Sequence, residues 1–124
     1  MIIADTSVWI EYLKQKSPIS RKFEGHLELR NILTLECIFG ELLQGVKEDN
    51  ERKIIIEYWN NLPKYNMSEL LIRAGIYSSK NRLISKGLGL IDAAIYIATI
   101  ETKSKLWTLD KKLLEIAVER YRYI

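Results

Sequence analysis

The chain has 124 residues, 48% of them hydrophobic, and this length predicts a single domain over residues 1–124 with one apolar core. The formal net charge of +3 is too small to indicate a nucleic-acid partner by itself. The apolar stretches are shorter than a membrane span, and Asp5 breaks the first of them before it could act as a signal peptide, which predicts a cytoplasmic protein with no membrane partner.

The N-terminal segment predicts a strand followed by a helix. The apolar run Ile2–Ala4 is typical of a short buried strand, and Asp5 follows it directly. Thr6 or Ser7 is expected to cap the helix Val8–Leu13, in which apolar residues recur at helical spacing. A strand-to-helix turn therefore carries Asp5.

A second helix and a second strand are expected next. Residues 20–30 are predicted to be helical, and residues 31–35 are predicted to form a strand. This strand leads into a mostly apolar helix that contains Glu41. A further helix over residues 49–59 is expected to end before Pro63, because proline cannot continue a helix.

The central segment predicts one long helix. A short extended piece is expected at 65–67, and the sequence over 68–86 then has the apolar spacing of a helix. Gly87 and Gly89 follow this stretch. Glycine is typical of helix ends, so the two glycines are predicted to stop the helix.

The C-terminal segment predicts a central helix, a strand and a last helix. The helix after Asp92 is almost wholly apolar, so we expect it to be buried. Leu106–Leu109 predicts an interior strand, and Asp110 is expected to open the last helix. Alternation of strands and helices favours parallel pairing. The expected fold class is therefore α/β, a three-layer arrangement with a central, mainly parallel sheet of about four or five strands flanked by helices.

Four acidic residues lie where apolar elements begin or end, namely Asp5, Glu41, Asp92 and Asp110. Ligands of α/β folds usually bind where the carboxyl ends of parallel strands meet, so the four acids could form one pocket. Helix capping is the alternative for the three aspartates, because Asp is a favoured N-cap residue. Glu41 caps nothing within its helix, and its alternative is a border position that reaches solvent.

Convergence of the four carboxylates would require a cation. At an effective dielectric constant near ~20, two unit charges about 4 Å apart repel each other by about 4 kcal/mol. His26 and Cys37 are the only residues of their kinds; His26 is expected in an exposed or capping position and Cys37 as a buried thiol. Oxygen ligands alone favour Mg²⁺ or Mn²⁺ over Zn²⁺. Such a site indicates metal-dependent hydrolysis of phosphodiester bonds.

The acidic residues and their neighbours form four segments, which are Ile2–Ile10, Leu33–Thr34 with Glu41–Gly45, Leu90–Ile95, and Trp107–Asp110. Their order and spacing resemble those of the PIN-domain ribonucleases, and in particular the toxin subunits of VapBC-type toxin–antitoxin pairs. The resemblance covers nearly the whole chain. It implies a set of catalytic residues and metal ligands consisting of Asp5, Glu41, Asp92 and Asp110, with Ser7 and Thr108 as supporting hydroxyls.

The same resemblance implies an activity and partners. It implies an endoribonuclease that needs Mg²⁺ or Mn²⁺, cuts structured RNA such as tRNA or rRNA, and thereby inhibits translation. It also implies a homodimer and a cognate antitoxin protein that covers the site. The sequence departs from the pattern of this family at Glu36, an extra acid before Glu41. We interpret Glu36 as a helix-start residue.

Two other classes of protein remain open. A catalytically silent PIN-like module would bind RNA or a protein without turnover, and Asp92→Asn would leave its binding unchanged. A phosphatase or phosphorelay domain would use an Asp at a strand end as a nucleophile. A haloacid-dehalogenase phosphatase needs a second Asp two residues after Asp5, and Ser7 stands there.

Overall fold

The computed structural model describes residues 1–15, 17–66 and 68–123. Most of these residues are helical, around a small parallel sheet. The elements in chain order are β1 (Ile2–Ala4), α1 (Thr6–Lys14), α2 (Pro18–Glu28), α3 (Glu36–Gln44), α4 (Asp49–Asn61), α5 (Leu70–Lys80), α6 (Leu90–Glu101), β2 (Lys105–Trp107) and α7 (Lys111–Ile116). Short 3₁₀ turns lie at Ile84–Lys86 and Glu119–Tyr121.

The parallel sheet has two continuous strands in the described residues. β1 pairs with β2, with Ile3 opposite Leu106. Single parallel bridges add neighbouring segments at both edges, and they join Ile2 to Ile32, Thr34 to Lys64, and Leu106 to Arg122. The α/β class and the parallel pairing are thus confirmed, whereas four or five strands are not.

The outer segments stay short for a local reason. α3 begins at Glu36, only two residues after the bridge at Thr34. The strand predicted over residues 31–35 therefore cannot continue beyond this bridge. Next to Lys64, Pro63 accepts a backbone hydrogen bond from Thr34 at 2.9 Å but has no N–H to donate. The segment over residues 31–35 and the segment at Lys64 therefore form only single-residue bridges.

The long helix predicted over residues 68–86 is interrupted. α5 begins at Leu70 and ends at Lys80, and the chain then turns before the 3₁₀ turn that starts at Ile84. Arg82 has a φ of 54°, a left-handed conformation that an α-helix does not contain. Of the extended piece predicted at 65–67, Tyr65 donates its N–H to Thr34 O at 3.1 Å, and Met67 lies outside the described residues.

An aromatic cluster centred on Trp9 joins α1 to three other helices. Trp9 is 1% exposed, and the rings around it meet it mostly edge-on. The centroid distances are 4.8 Å to Phe23, 5.0 Å to Phe39, 5.5 Å to Tyr58 and 6.2 Å to Tyr12. Such edge-to-face pairs add stability beyond the area they bury. α1 is therefore held rigidly at the carboxyl end of β1.

α6 forms the other half of the core, as its apolar sequence predicts. Every residue over 93–99 is buried, and α5 packs along one side of the helix. None of the helices within the described ranges is both long and apolar enough to cross a membrane.

The lone histidine and the lone cysteine are both half-buried. The Nε2 atom of His26 lies 2.9 Å from the hydroxyl of Tyr123, so His26 links α2 to the C-terminal segment. Burial is the main cause that raises the pKa of the Cys37 thiol to about 11. The thiol is therefore protonated at neutral pH.

Candidate functional site

Asp5 is the most deeply buried acid of the predicted set, with 5% of its surface exposed. It follows β1 and is the N-cap of α1, since its Oδ1 accepts a hydrogen bond from Val8 N at 3.3 Å. The cap is thus Asp5 itself and not the predicted Thr6 or Ser7. Its two carboxylate oxygens also accept hydrogen bonds from the hydroxyls of Ser7, at 2.5 Å, and of Thr108.

The two hydroxyls tie the end of β1 to the end of β2. Ser7 Oγ donates to Asp5 and accepts from Leu109 N at 3.0 Å. Thr108 Oγ1 donates to Asp5 and accepts from Asp110 N at 3.0 Å. The structure therefore places both predicted supporting hydroxyls against the Asp5 carboxylate, and Thr108 connects Asp5 to the backbone of Asp110.

Asp110 and Asp92 each lie at the beginning of a helix. Asp110 is the N-cap of α7, and its Oδ1 accepts a hydrogen bond from Lys112 N at 2.9 Å. Asp92 is the third residue of α6, which begins earlier than predicted, and its Oδ2 accepts from Gly89 N at 3.1 Å. Capping thus describes one contact of Asp92 and of Asp110, and among the described residues none donates a hydrogen bond to the other carboxylate oxygen of either.

Glu41 is held by Thr6, which the sequence singled out only as a possible helix cap. Its Oε1 accepts a hydrogen bond from Thr6 Oγ1 at 2.7 Å, which joins α3 to the first turn of α1. The Glu41 side chain is half-buried, so it is neither free in solvent nor enclosed. The only sequence signal for Thr6 is its place directly after Asp5, where a hydroxyl can also serve as a helix cap.

Electrostatics indicate which acids are neighbours. The pKa of Asp92 is raised by its burial first, and then by the negative charges of Asp110 and Glu41. The pKa of Asp5 is raised by burial alone, and the hydrogen bonds from Ser7, Thr108 and Val8 oppose this effect. Asp92, Asp110 and Glu41 therefore share one electrostatic environment. Asp5 lies in its own hydrogen-bond shell, connected to that group through Thr108 and Thr6.

The donor chemistry suits a hard cation, although the carboxylates are not drawn together around one point. Among the described residues, no three side chains of His, Cys, Asp or Glu are grouped closely enough to hold a metal ion as they stand. The four predicted acids supply oxygen donors only, which Mg²⁺ and Mn²⁺ prefer. Burial is the main cause that raises the pKa of Asp92, and the charges of Asp110 and Glu41 add to it; a dication would neutralise those charges.

A match to a family model and similarity to individual proteins both point to the same family. The model of one family, described as PIN domain, matches residues 2–119. A VapC ribonuclease of Mycobacterium bovis and ribonuclease VapC11 of Mycobacterium tuberculosis are each 32% identical over 88 residues, which is 66% of this chain and 66% of theirs. The match thus spans slightly less than two thirds of these relatives. Ribonuclease VapC32 of Mycobacterium tuberculosis is 29% identical over 125 aligned residues, covering 96% of this chain and 92% of the relative.

Proposed function

Because the chain belongs to the PIN-domain family, we propose that it is a divalent-metal-dependent endoribonuclease that hydrolyses phosphodiester bonds in RNA. The observation that supports this best is the placement of Asp92 near Asp110 and Glu41, where burial first and then the two like charges raise the pKa of Asp92. Buried acids with raised pKa values are typical of a functional site, and Asp5 and Asp92 are two such acids. The names of the relatives, all ribonucleases, support the same reaction class.

The proposed catalytic residues and ligands of Mg²⁺ or Mn²⁺ are Asp5, Glu41, Asp92 and Asp110. When bound, such an ion supplies positive charge to the phosphate oxygens and lowers the pKa of a water molecule that attacks phosphorus. The chain's own residues position the reactants. Ser7 and Thr108 hold the Asp5 carboxylate from two sides, so its orientation is set before the substrate arrives.

The biological setting is part of the proposal. We place the protein in the cytoplasm as a single nuclease domain over residues 1–124, acting as the toxin of a toxin–antitoxin pair. In this role it forms a homodimer, inhibits translation by cutting structured RNA such as tRNA or rRNA, and is inhibited by a cognate antitoxin protein. The relatives named VapC support this setting.

Incubation of the purified chain with total RNA tests the proposal directly. Discrete fragments are expected in Mg²⁺ or Mn²⁺, and none in EDTA, because the acids require a cation to act together. Fragment ends mapped by sequencing would identify the RNA. Undamaged RNA in all conditions, with RNA still retained by the protein, would instead favour the catalytically silent binding module.

Removal of the Thr6 hydroxyl is expected to weaken metal binding. Thr6→Val keeps the shape of the side chain but leaves Glu41 without its 2.7 Å hydrogen bond. Hydrogen bonds that orient a metal ligand are usually worth roughly 10- to 100-fold in affinity, so we expect about tenfold weaker Mn²⁺ binding by calorimetry. Thr6→Ser should bind Mn²⁺ as the wild type does.

Thr102→Val is the matched control for this change. Thr102 is half-buried like Thr6 and is the C-cap of α6, where its hydroxyl donates to Ala98 O at 2.7 Å. Its loss should leave the Mn²⁺ affinity unchanged. Equal affinities of Thr6→Val and the wild type would show that Thr6 does not position Glu41 for metal.

A further inference from the structure

A cleft of about 700 Å³ adjoins the candidate site. It lies between α3 and residues 65–66 and 69–72, and its wall includes Glu41 and Ile91, the residue before Asp92. A group bound in this cleft would therefore lie directly beside the proposed catalytic acids. The volume falls within the usual range of sites for small organic molecules, about 300 to 1,000 Å³.

The lining of the cleft combines an apolar surface with hydrogen-bonding groups. Leu35 and Leu70 contribute apolar area, and the half-buried Tyr65 contributes an aromatic ring. Gln44 and Asn66 are exposed, and each carries both a donor and an acceptor in its amide. Single-stranded RNA is recognised by this combination, in which unpaired bases stack on aromatic rings and hydrogen-bond along their edges.

Two carboxylates on the rim narrow the choice of ligand. Glu36 and Glu69 line the cleft, both are exposed, and neither forms an ion pair with any of the described residues. Their negative charge repels a phosphate, so the RNA backbone is disfavoured inside the cleft. A carboxylate accepts hydrogen bonds from the amino group of a base, as acidic residues do from cytosine N4. Uracil has no amino group.

We propose that this cleft binds one unpaired nucleobase of the RNA beside the cleaved phosphate, and that it prefers bases with an exocyclic amino group over uracil. Tyr65 stacks on the base, Gln44 and Asn66 contact its edge, and Glu36 and Glu69 accept its amino hydrogens. The proposal rests on the proposed RNA-cleaving function and adds a base preference to it.

Binding without cleavage tests the cleft separately from catalysis. The full chain carrying Asp92→Asn is titrated into short fluorescent oligouridines that hold one central cytosine, adenine or uracil, and anisotropy is measured. We expect the cytosine and adenine oligomers to bind more tightly than the uracil one. Glu36→Gln with Glu69→Gln should weaken this preference, because an amide keeps one acceptor oxygen but adds an NH₂ donor that can pair with the O4 atom of uracil.

Loss of the Tyr65 ring is expected to weaken binding of the oligomers more than loss of the two carboxylates does. Base–aromatic stacking is worth about 1–3 kcal/mol per base, so Tyr65→Leu should weaken binding of the cytosine oligomer by about tenfold or more. Tyr121→Leu is the matched control, because Tyr121 is also half-buried but lies in the C-terminal 3₁₀ turn, outside the cleft. Tyr65 also packs against the core, so a second variant is needed that does not affect folding. Asn66 is exposed, and Asn66→Ala should weaken binding of the oligomers while leaving the fold unchanged.

The outcomes separate the two proposals. Equal affinity for all three oligomers, or equal effects of Tyr65→Leu and Tyr121→Leu, would overturn the base-binding cleft even if the wild type cuts RNA. A clear preference for amino bases in a protein that cuts no RNA in Mg²⁺ or Mn²⁺ would support the cleft and overturn the nuclease.

Discussion

Asp92→Asn is expected to abolish RNA cleavage while leaving the fold intact. Asparagine retains a side-chain oxygen that can accept the 3.1 Å hydrogen bond from Gly89 N, so the first turn of α6 keeps its contact. The change removes the negative charge that Asp110 and Glu41 act on. Loss of a single electrostatic group at a catalytic centre commonly costs roughly 10²- to 10³-fold, which we expect here in kcat/KM measured on a cleaved RNA.

Asp49→Asn makes the same chemical change at a position outside the site. Asp49 is the first residue of α4 and forms an exposed ion pair with Arg52 at 2.5 Å. Such a pair contributes little to stability, so the control should cut RNA at the wild-type rate. If the Asp92→Asn variant has a native circular dichroism spectrum and cuts RNA at the wild-type rate, Asp92 is not a catalytic residue or the preparation contains a contaminating nuclease.

Divalent metal is expected to stabilise the wild-type protein and not the Asp92→Asn variant. An ion that binds only the folded state stabilises it by about 2.7 kcal/mol at a free concentration about one hundred times its dissociation constant. The oxygen donors that would supply this binding are Asp5, Glu41, Asp92 and Asp110. Thermal unfolding at neutral pH, with and without Mn²⁺, gives the shift in Tm for each protein, and no RNA is needed.

Without metal, the order of stability should reverse. The pKa of Asp92 is raised above its ordinary value of 3.8 in the folded protein, so the folded state binds the proton more tightly than the unfolded state does. The ionised carboxylate therefore opposes folding once the pH exceeds the folded pKa, and this penalty is absent below 3.8. In EDTA, Asp92→Asn should be the more stable protein at neutral pH, and its advantage should shrink as the pH falls towards 3.8.

Opposite orders of stability with and without Mn²⁺ would indicate that the ionised Asp92 carboxylate opposes folding by itself and binds the ion when Mn²⁺ is present. Unfolding of both proteins by urea, in EDTA and in Mn²⁺, measures the four free energies. Equal responses of wild type and variant to Mn²⁺ would argue against Asp92 as a ligand. A wild type more stable than Asp92→Asn in EDTA at neutral pH would show that the ionised carboxylate is stabilised in the fold, contrary to its raised pKa.

Much of the fold follows from local sequence. The runs at Ile2–Ala4 and Leu106–Leu109 predict the two strands that pair, and the apolar segment after Asp92 predicts the buried α6. These features depend on apolar residues and their spacing, which neighbouring positions specify. Turn geometry is harder to predict. The sequence around Arg82 does not indicate its left-handed backbone conformation, so the helix predicted there is too long.

For the site, the sequence by itself determined which chemical groups the chain offers. The chain offers the acids Asp5, Glu41, Asp92 and Asp110 and only one histidine and one cysteine, which by itself favours oxygen ligands at the site. That inference requires only composition and the positions of acids at the ends of apolar elements.

Only the tertiary structure decided how these groups are held. The hydrogen bond from Thr108 to Asp5 joins residues 103 positions apart, and the one from Thr6 to Glu41 joins residues 35 positions apart. The packing of α1 on α3 and the pairing of β1 with β2 bring these partners together. The cleft beside Glu41 arises in the same way. Contacts between distant residues depend on the summed packing of whole elements, so no local pattern in the chain specifies them.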